Sequence, residues 1–131
     1  GVVDRIRELG HDVRAINSAA ASKYPLKYRN LRAEMWDYVS GKFHDESVCI
    51  DADETLIDQL CIVKYKTIES NGKMQVESKE DIKKRLGCSP DRADAYIMGC
   101  WLIDEADPVE IKDAYDMRER ESRYAFNSET C

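Results

Sequence analysis

The residues from Ser89 to Trp101 constrain the fold more than any other stretch, because they place a carboxylate in an apolar helix. Ser89 is typical of a helix N-cap, and Pro90 of the first helical position. The almost continuous apolar run from Ala95 to Ile103 predicts a central, buried helix. Asp94 lies beyond the unpaired N–H groups of the first turn. An ionised side chain there needs a cation, a metal ion or a network of hydrogen bonds.

Asp91 and Asp94 stand one turn apart on this helix. Asp91 falls in the first turn, where the helix dipole favours a carboxylate, so capping accounts for it without any function. For Asp94 two interpretations are open from the residues alone. It is either a ligand of a metal ion, or a buried carboxylate paired with Arg85 or Arg92. On the first interpretation, Asp91 is a second ligand or orients a metal-bound water.

Length and composition describe one domain. A chain of 131 residues with 43% hydrophobic residues can bury one core, and no linker rich in Pro, Gly or Ser divides it. No apolar run approaches the roughly 20 residues that span a bilayer. The five cysteines include no C-x-x-C pair, which favours reduced thiols in a cytosolic compartment over a zinc site. The net charge of -6 excludes a uniformly basic surface but not a local basic one.

The hydrophobic pattern predicts two helices within the first 41 residues. One helix runs from Val2 to Leu9, and a second, amphipathic helix occupies about 28–40 and ends at Gly41. Between them we expect a short strand at 12–16 and a mobile loop at 17–27.

The middle of the chain predicts a hairpin between two short helices. Asp51 or Asp53 caps a helix that continues to Asp58, and a β-hairpin follows near 62–77 with Asn71-Gly72 as its turn. Ser78 begins a helix from Lys79 to Leu86, which Gly87 ends. Residues 1–106 are thus expected to form an α/β domain with helices packed on a small sheet. Residues 107–131 are expected to form a polar tail with a marginal helix.

Five basic residues lie close to the acidic helix in sequence. A phosphate backbone requires such a group beside a metal site, so they are candidates for DNA binding. Acidic residues are interleaved with them, and a solvated helix face is therefore the alternative interpretation. The five candidates are Lys79, Lys83, Lys84, Arg85 and Arg92.

The segment Ser89-Pro-Asp-Arg-Ala-Asp-Ala95 resembles the last acidic motif in the nuclease domain of tailed-phage terminase large subunits. These domains have an RNase H-like fold related to RuvC-type Holliday-junction resolvases. Three further segments are similar, in the same order, to segments upstream of that motif, and the resemblance spans roughly residues 1 to 103. The three are Gly1–Gly10, Tyr28–Trp36 and Glu77–Arg85.

The resemblance implies the C-terminal portion of an RNase H-like nuclease domain that cuts concatemeric viral DNA into genome units. It implies Asp94 as a ligand of Mg²⁺ or Mn²⁺ with Asp91 assisting, because hard oxygen ligands suit these ions. The implied partners are double-stranded DNA, the terminase ATPase domain, the small terminase subunit and the portal. The implied location is the cytoplasm of a bacterial host, with no membrane.

In the family, the other essential carboxylates lie upstream of the segment matched by Gly1–Gly10. Because the chain opens inside a helix, we expect earlier strands of the same unit to lie upstream. We therefore expect an endodeoxyribonuclease in the intact protein and little activity from this chain alone. Two other functions stay open. One is a non-catalytic remnant that binds DNA or packaging partners, and the other is a Holliday-junction-resolvase-like nuclease.

Overall fold

The computed structural model describes residues 1–105, which form helices and one small antiparallel sheet. The predicted α/β class is confirmed, and so is the hairpin. In chain order the elements are α1 (Val2–Glu8), α2 (Leu31–His44), α3 (Glu54–Ile62), β1 (Tyr65–Thr67), β2 (Met74–Val76), α4 (Lys79–Leu86) and α5 (Asp91–Glu105).

The hairpin joins β1 to β2 in antiparallel register. Tyr65 lies opposite Val76, and Thr67 opposite Met74. At the turn, the N–H of Gly72 donates to the carbonyl of Ile68 at 2.7 Å, and Gly72 has a φ of +67°. A glycine adopts this left-handed conformation without steric cost, which explains why Asn71-Gly72 marks the turn.

The chain just before α2 lies along the other edge of β2. The N–H of Met74 donates to the carbonyl of Lys27 at 2.8 Å, and the Met74 carbonyl accepts from the N–H of Arg29 at 2.9 Å. Helix α2 also packs against β2. The start of α2 is therefore fixed to the hairpin.

Three helices begin at side-chain caps of the kind that the sequence predicts. Asn30, Asp53 and Ser78 each accept a hydrogen bond from a backbone N–H three residues later, at 3.1 Å in every case. Helix α4 ends at Gly87, whose φ is +76°. The predicted bounds of α4 are confirmed, and α3 continues four residues beyond the predicted Asp58.

The core consists of apolar residues from α2, α4, α5 and the segments around the hairpin. Its largest fully buried side chains include Met35, Ile82 and Ile97. The buried hydrophobic residues are Tyr28, Ala33, Met35, Trp36, Val39, Val63, Val76, Ile82, Ala93 and Ile97.

Three predictions about the helices and strands are wrong. Residues 12–16 form no strand, because two apolar residues in alternation are a weak signal and no neighbouring strand pairs with them in the described chain. Helix α2 begins at Leu31 rather than 28, and it continues through Gly41 to His44. An isolated glycine inside a helix costs only about 1 kcal/mol and does not end it.

Helix α5 also differs from its prediction. It begins at Asp91, and the Ser89 hydroxyl donates to the Asp91 carboxylate at 2.8 Å instead of capping the helix. Up to Met98, one face of α5 is buried, at Ala93, Asp94 and Ile97, whereas Ala95 is exposed. The prediction that other elements cover most of the helix surface is therefore wrong for this part of α5.

The loop before α2 is fastened by a buried glutamate. The Ser22 hydroxyl and the Lys23 N–H donate to Oε2 of Glu34 at 2.7 and 2.8 Å. The N–H of Leu31 donates to the carbonyl of Ala20 at 2.8 Å. The segment predicted as a loop is thus an ordered turn system built on the first turns of α2.

The chain divides into two compact units, Gly1–Met98 and Gly99–Cys131. The first unit holds the residues that are discussed below. Of the second, the structure describes the helical residues 99–105, and the predicted tail at 107–131 lies outside the described residues. None of the described helices is both long enough and apolar enough to cross a membrane.

Candidate functional site

The side chain of Asp94 is buried and hydrogen-bonded on both oxygens. Only 3% of it is exposed. Its Oδ1 accepts from Nε of Arg32 at 3.0 Å and from Nε1 of Trp36 at 2.9 Å. Its Oδ2 lies 3.1 Å from Nζ of Lys79 and 3.4 Å from Nη2 of Arg32. The cation that the sequence requires for this carboxylate is therefore present.

The arginine that pairs with Asp94 is Arg32, and not Arg85 or Arg92, the two named in the paired interpretation of the sequence. Arg32 lies in the first turn of α2, 62 residues before Asp94. Its Nη1 donates to the carbonyl of Glu77 at 2.7 Å, so one guanidinium joins α2, the end of the hairpin and α5. Because both the arginine and the aspartate are buried, either one alone would be an uncompensated charge.

Lys79 connects the two predicted aspartates. Its Nζ lies 3.0 Å from Oδ1 of Asp91 and 3.1 Å from Oδ2 of Asp94. The Lys79 side chain is 44% exposed and that of Asp91 is 73% exposed, so this side of the cluster faces solvent. One ammonium group therefore lies where two carboxylate oxygens converge.

The contacts of Lys79 change the proton affinity of the exposed members of the cluster. A hydrogen bond from Lys79, followed by one from Ser89, lowers the pKa of Asp91. Burial alone would lower the pKa of Lys79, but the hydrogen bonds to Asp91 and Asp94 outweigh it and raise that pKa. Asp91 and Lys79 are consequently held in their charged forms at neutral pH.

Of the remaining predicted basic residues, two pair with carboxylates outside this cluster, and the charge of Lys83 contributes to the lowered pKa of Asp91. Nη2 of Arg85 lies 2.6 Å from Oε2 of Glu77, and Nη1 of Arg92 lies 2.7 Å from Oδ2 of Asp53. Lys83 and Lys84 are exposed on α4. Within residues 1–105, Lys79 is thus the candidate whose ammonium pairs with both Asp91 and Asp94.

The residues around Lys79 fit one side of a single divalent cation site. Asp91 and Asp94 offer one oxygen each toward the same point, and Mg²⁺ is often bound through one or two carboxylates and several waters. The described part of the chain contains no group of three His, Cys, Asp or Glu side chains that could hold a metal ion. The described residues therefore do not supply the several carboxylates of a two-ion site.

Sequence reasoning missed Arg32 and Trp36 as members of this cluster. Trp36 is 3% exposed, and its apolar spacing on α2 marks it correctly as a core residue. The hydrogen bond to Asp94 crosses 58 residues, which no local pattern reveals. The available signal is chemical, because a buried indole N–H needs an acceptor and a buried carboxylate needs donors.

Comparison with solved structures gives several matches that are related to one another. Part of this chain is similar to phage terminase nuclease domains. The nuclease domain of the large terminase subunit of bacterial virus Sf6 is 23% identical over 64% of this chain and 47% of its own, with a TM-score of 0.42. A lysine-to-alanine mutant of that domain with manganese is 22% identical over 63% of this chain and 48% of its own. Its TM-score is also 0.42.

A further match is the mutant form from bacteriophage Sf6 with calcium, at 22% identity over 64% of this chain and 47% of that one, with a TM-score of 0.42. The chain thus spans about half the length of the terminase nuclease structures that it matches. No protein-family model matches the chain, and a search of curated proteins found no match. The structural matches belong to the family that the sequence resembles.

Proposed function

We propose that this chain is part of a terminase nuclease domain, in which it contributes to metal-dependent cutting of concatemeric viral DNA into genome units. The observation that supports this is the position of the Lys79 ammonium, about equally far from one oxygen of Asp91 and one of Asp94. A point where two carboxylate oxygens surround a positive charge, partly open to solvent, is chemically suited to a cation.

In this proposal Asp94 is the principal metal ligand and Asp91 the second. Oδ2 of Asp94 and Oδ1 of Asp91 would hold Mg²⁺ or Mn²⁺, and the Lys79 side chain would leave the position between them. A bound divalent ion at a phosphodiester activates water or stabilises the leaving oxygen. When no ion is bound, the single Lys79 ammonium pairs with both carboxylates, while Arg32 compensates the buried Asp94.

The proposed substrate is double-stranded DNA, and the proposed contacts are the basic side chains that are close to α5 in sequence. Lys83 and Lys84 are exposed, whereas Lys79, Arg85 and Arg92 already form ion pairs with carboxylates. Exposed lysines attract the DNA backbone as point charges and make binding salt-dependent. By resemblance, the proposed setting is a terminase with an ATPase domain, a small subunit and a portal, in the cytoplasm of a bacterial host.

Binding of Mn²⁺, measured by the electron paramagnetic resonance of the free ion, tests the metal site directly. We expect Asp94→Asn to abolish binding and Asp91→Asn to weaken it, because each removes a charged oxygen. Lys79→Ala removes the competing ammonium and should tighten binding. Asp58→Asn, at an exposed position on α3, is the control and should change nothing. Unchanged binding in Asp94→Asn would contradict the proposal.

Cleavage is a separate measurement. We expect little cleavage of plasmid DNA by this chain alone, because the described residues offer two carboxylates to one cation and two-ion hydrolysis needs more. In an intact terminase that contains these residues, Asp94→Asn should abolish cleavage. Circular dichroism must establish that the variant is folded, because the change leaves the buried Arg32 without its partner charge. A four-way junction substrate, run beside linear DNA, separates a terminase-like from a resolvase-like preference. Full cleavage by the intact Asp94→Asn variant would remove Asp94 from the mechanism.

A non-catalytic module that binds DNA or packaging partners is the second candidate function. The observation in its favour is that Asp94 already accepts hydrogen bonds on both oxygens, as a purely structural carboxylate does. This candidate predicts DNA binding without Mn²⁺ binding or cleavage. Lys83→Ala and Lys84→Ala should each reduce the slope of log affinity against log salt by about 1, and Lys66→Ala on the hairpin is the control.

A further inference from the structure

The two oxygens of Asp94 have different partners. Oδ1 accepts two N–H groups from α2, one from Arg32 and one from Trp36, at 3.0 and 2.9 Å. A carboxylate oxygen has about two lone-pair positions, so Oδ1 is fully used. Oδ2 has the longer contact to Arg32, at 3.4 Å, and the contact to the partly exposed Lys79. The two α2 donors therefore leave Oδ2 as the oxygen that faces the Lys79 ammonium.

The pairing of Arg32 with Asp94 is unsymmetrical, and Trp36 supplies a reason. Arginine and carboxylate prefer a fork in which two parallel hydrogen bonds are of similar length. Here the two contacts are 3.0 and 3.4 Å, and the indole N–H lies 2.9 Å from Oδ1. The indole donor adds a second bond to Oδ1, which holds the carboxylate away from the symmetrical fork.

We propose that Trp36 is a positioning residue whose indole N–H fixes the rotation of the Asp94 carboxylate, so that Oδ2 faces the cation position beside Asp91. This inference rests on the proposed metal site and deepens it. Trp36 is not in contact with the ion or with DNA in this proposal and acts only through Asp94. Partners that orient a metal ligand typically change metal affinity about 10- to 100-fold when they are lost.

The test removes the indole N–H and measures two properties of the whole chain. We expect Trp36→Phe to weaken Mn²⁺ binding about 10-fold. We also expect faster solvent exchange of the Lys79 ammonium protons in ¹⁵N NMR, because Oδ2 turns away from Nζ. Trp101→Phe, the other tryptophan change that the chain offers, is the control and should leave both properties unchanged. Far-ultraviolet circular dichroism establishes that each variant is folded.

A second replacement guards against loss of packing in Trp36→Phe. Biosynthetic exchange of tryptophan for its benzothiophene analogue, in the Trp101→Phe background, keeps the bicyclic ring and replaces the N–H with sulfur. A role in packing alone predicts wild-type Mn²⁺ affinity and wild-type Lys79 exchange for this protein. A positioning role predicts that both change, as in Trp36→Phe.

The outcomes separate this inference from the metal proposal. If Asp94→Asn abolishes Mn²⁺ binding but removal of the indole N–H changes neither affinity nor Lys79 exchange, the positioning role is wrong and the metal site stands. If the wild-type chain binds no Mn²⁺, the metal proposal fails for this chain, and Lys79 exchange alone decides whether Trp36 orients Asp94. Unchanged exchange in both indole-lacking proteins would then overturn the inference.

Discussion

Glu34 and Asp94 are both buried carboxylates on helices, with 5% and 3% of the residue exposed, but their partners differ in kind. Glu34 accepts from Ser22 and the Lys23 N–H, 12 and 11 residues earlier, and so closes a local loop. Asp94 accepts from Arg32 and Trp36, 62 and 58 residues earlier, and so joins elements that are distant in sequence. Two equally buried acids thus serve a local and a long-range connection.

The partners of the two carboxylates also differ in how far they are exposed to solvent. The Glu34 contacts fasten a backbone turn, whereas Oδ2 of Asp94 meets an ammonium on a side chain that is 44% exposed. A solvent-exposed lysine can move away at little cost, because exposed ion pairs contribute only about 0–1 kcal/mol. Of these two buried acids, Asp94 is therefore the one whose contact is exchangeable, which is what a binding site requires.

The largest expected effect comes from removing the buried cation of the Asp94 network. Arg32→Leu leaves Asp94 buried with its main compensating charge gone, and should lower the free energy of unfolding by about 3–5 kcal/mol. Arg29→Leu, at an exposed position three residues earlier and outside α2, is the control. Urea denaturation followed by circular dichroism measures both.

The double variant Arg32→Leu with Asp94→Leu sharpens this comparison. Replacing both members of a buried ion pair with apolar groups is often close to neutral. We therefore expect the double variant to be more stable than Arg32→Leu alone. If Arg32→Leu costs less than about 1 kcal/mol, the cation of Arg32 is not what compensates Asp94.

Removal of Glu34 should have a smaller and more local effect. Glu34→Ala leaves the Ser22 hydroxyl and the Lys23 N–H without their acceptor, and should lower the free energy of unfolding by about 1–3 kcal/mol. Hydrogen exchange of the Lys23 amide should become faster, while exchange in the hairpin stays as it was. Glu80→Ala, at an exposed position on α4, is the control. Equal acceleration in the hairpin would show that Glu34 supports the whole fold and not one loop.

Local signals predicted most of the helices and the hairpin, because their causes are local. Ser78 and Gly87 bound α4, and Asn71-Gly72 forms the turn, as expected from backbone preferences. The strand expected at 12–16 failed because a strand depends on a neighbour that the sequence does not specify. Expected bounds failed where a helix continues through Gly41, since tertiary context overrides propensity.

The candidate site was predictable only in part. The burial of a charge at Asp94 follows from the apolar residues around it, and the need for a cation follows from that burial. Which arginine supplies the cation does not follow. Sequence distance favoured Arg85 and Arg92, but these pair with Glu77 and Asp53, and the partner is Arg32.

Asp37 on α2 is a half-buried carboxylate, and it extends the comparison of buried acids to a less buried one. Its loss should change the free energy of unfolding less than the loss of Glu34 or Arg32. Lys27 and Tyr28 both contact its Oδ2, at 2.8 and 2.6 Å. Burial alone would raise the pKa of Asp37, but these hydrogen bonds outweigh it and lower the pKa below its ordinary value of 3.8. The ionised form is therefore favoured in the folded state, and its stabilising contribution is present above about pH 4.

This contribution should disappear as the pH falls through the lowered pKa of Asp37. The difference in unfolding free energy between the wild type and Asp37→Asn should be about 0.5 kcal/mol near neutral pH, because the Lys27 side chain is 63% exposed and the pair is screened by solvent. Once the pH lies below the lowered pKa of Asp37, both proteins carry a neutral group at this position, and the difference should vanish. A difference that persists unchanged in acid would mean that hydrogen bonding to a neutral side chain, and not the carboxylate charge, supports this part of α2.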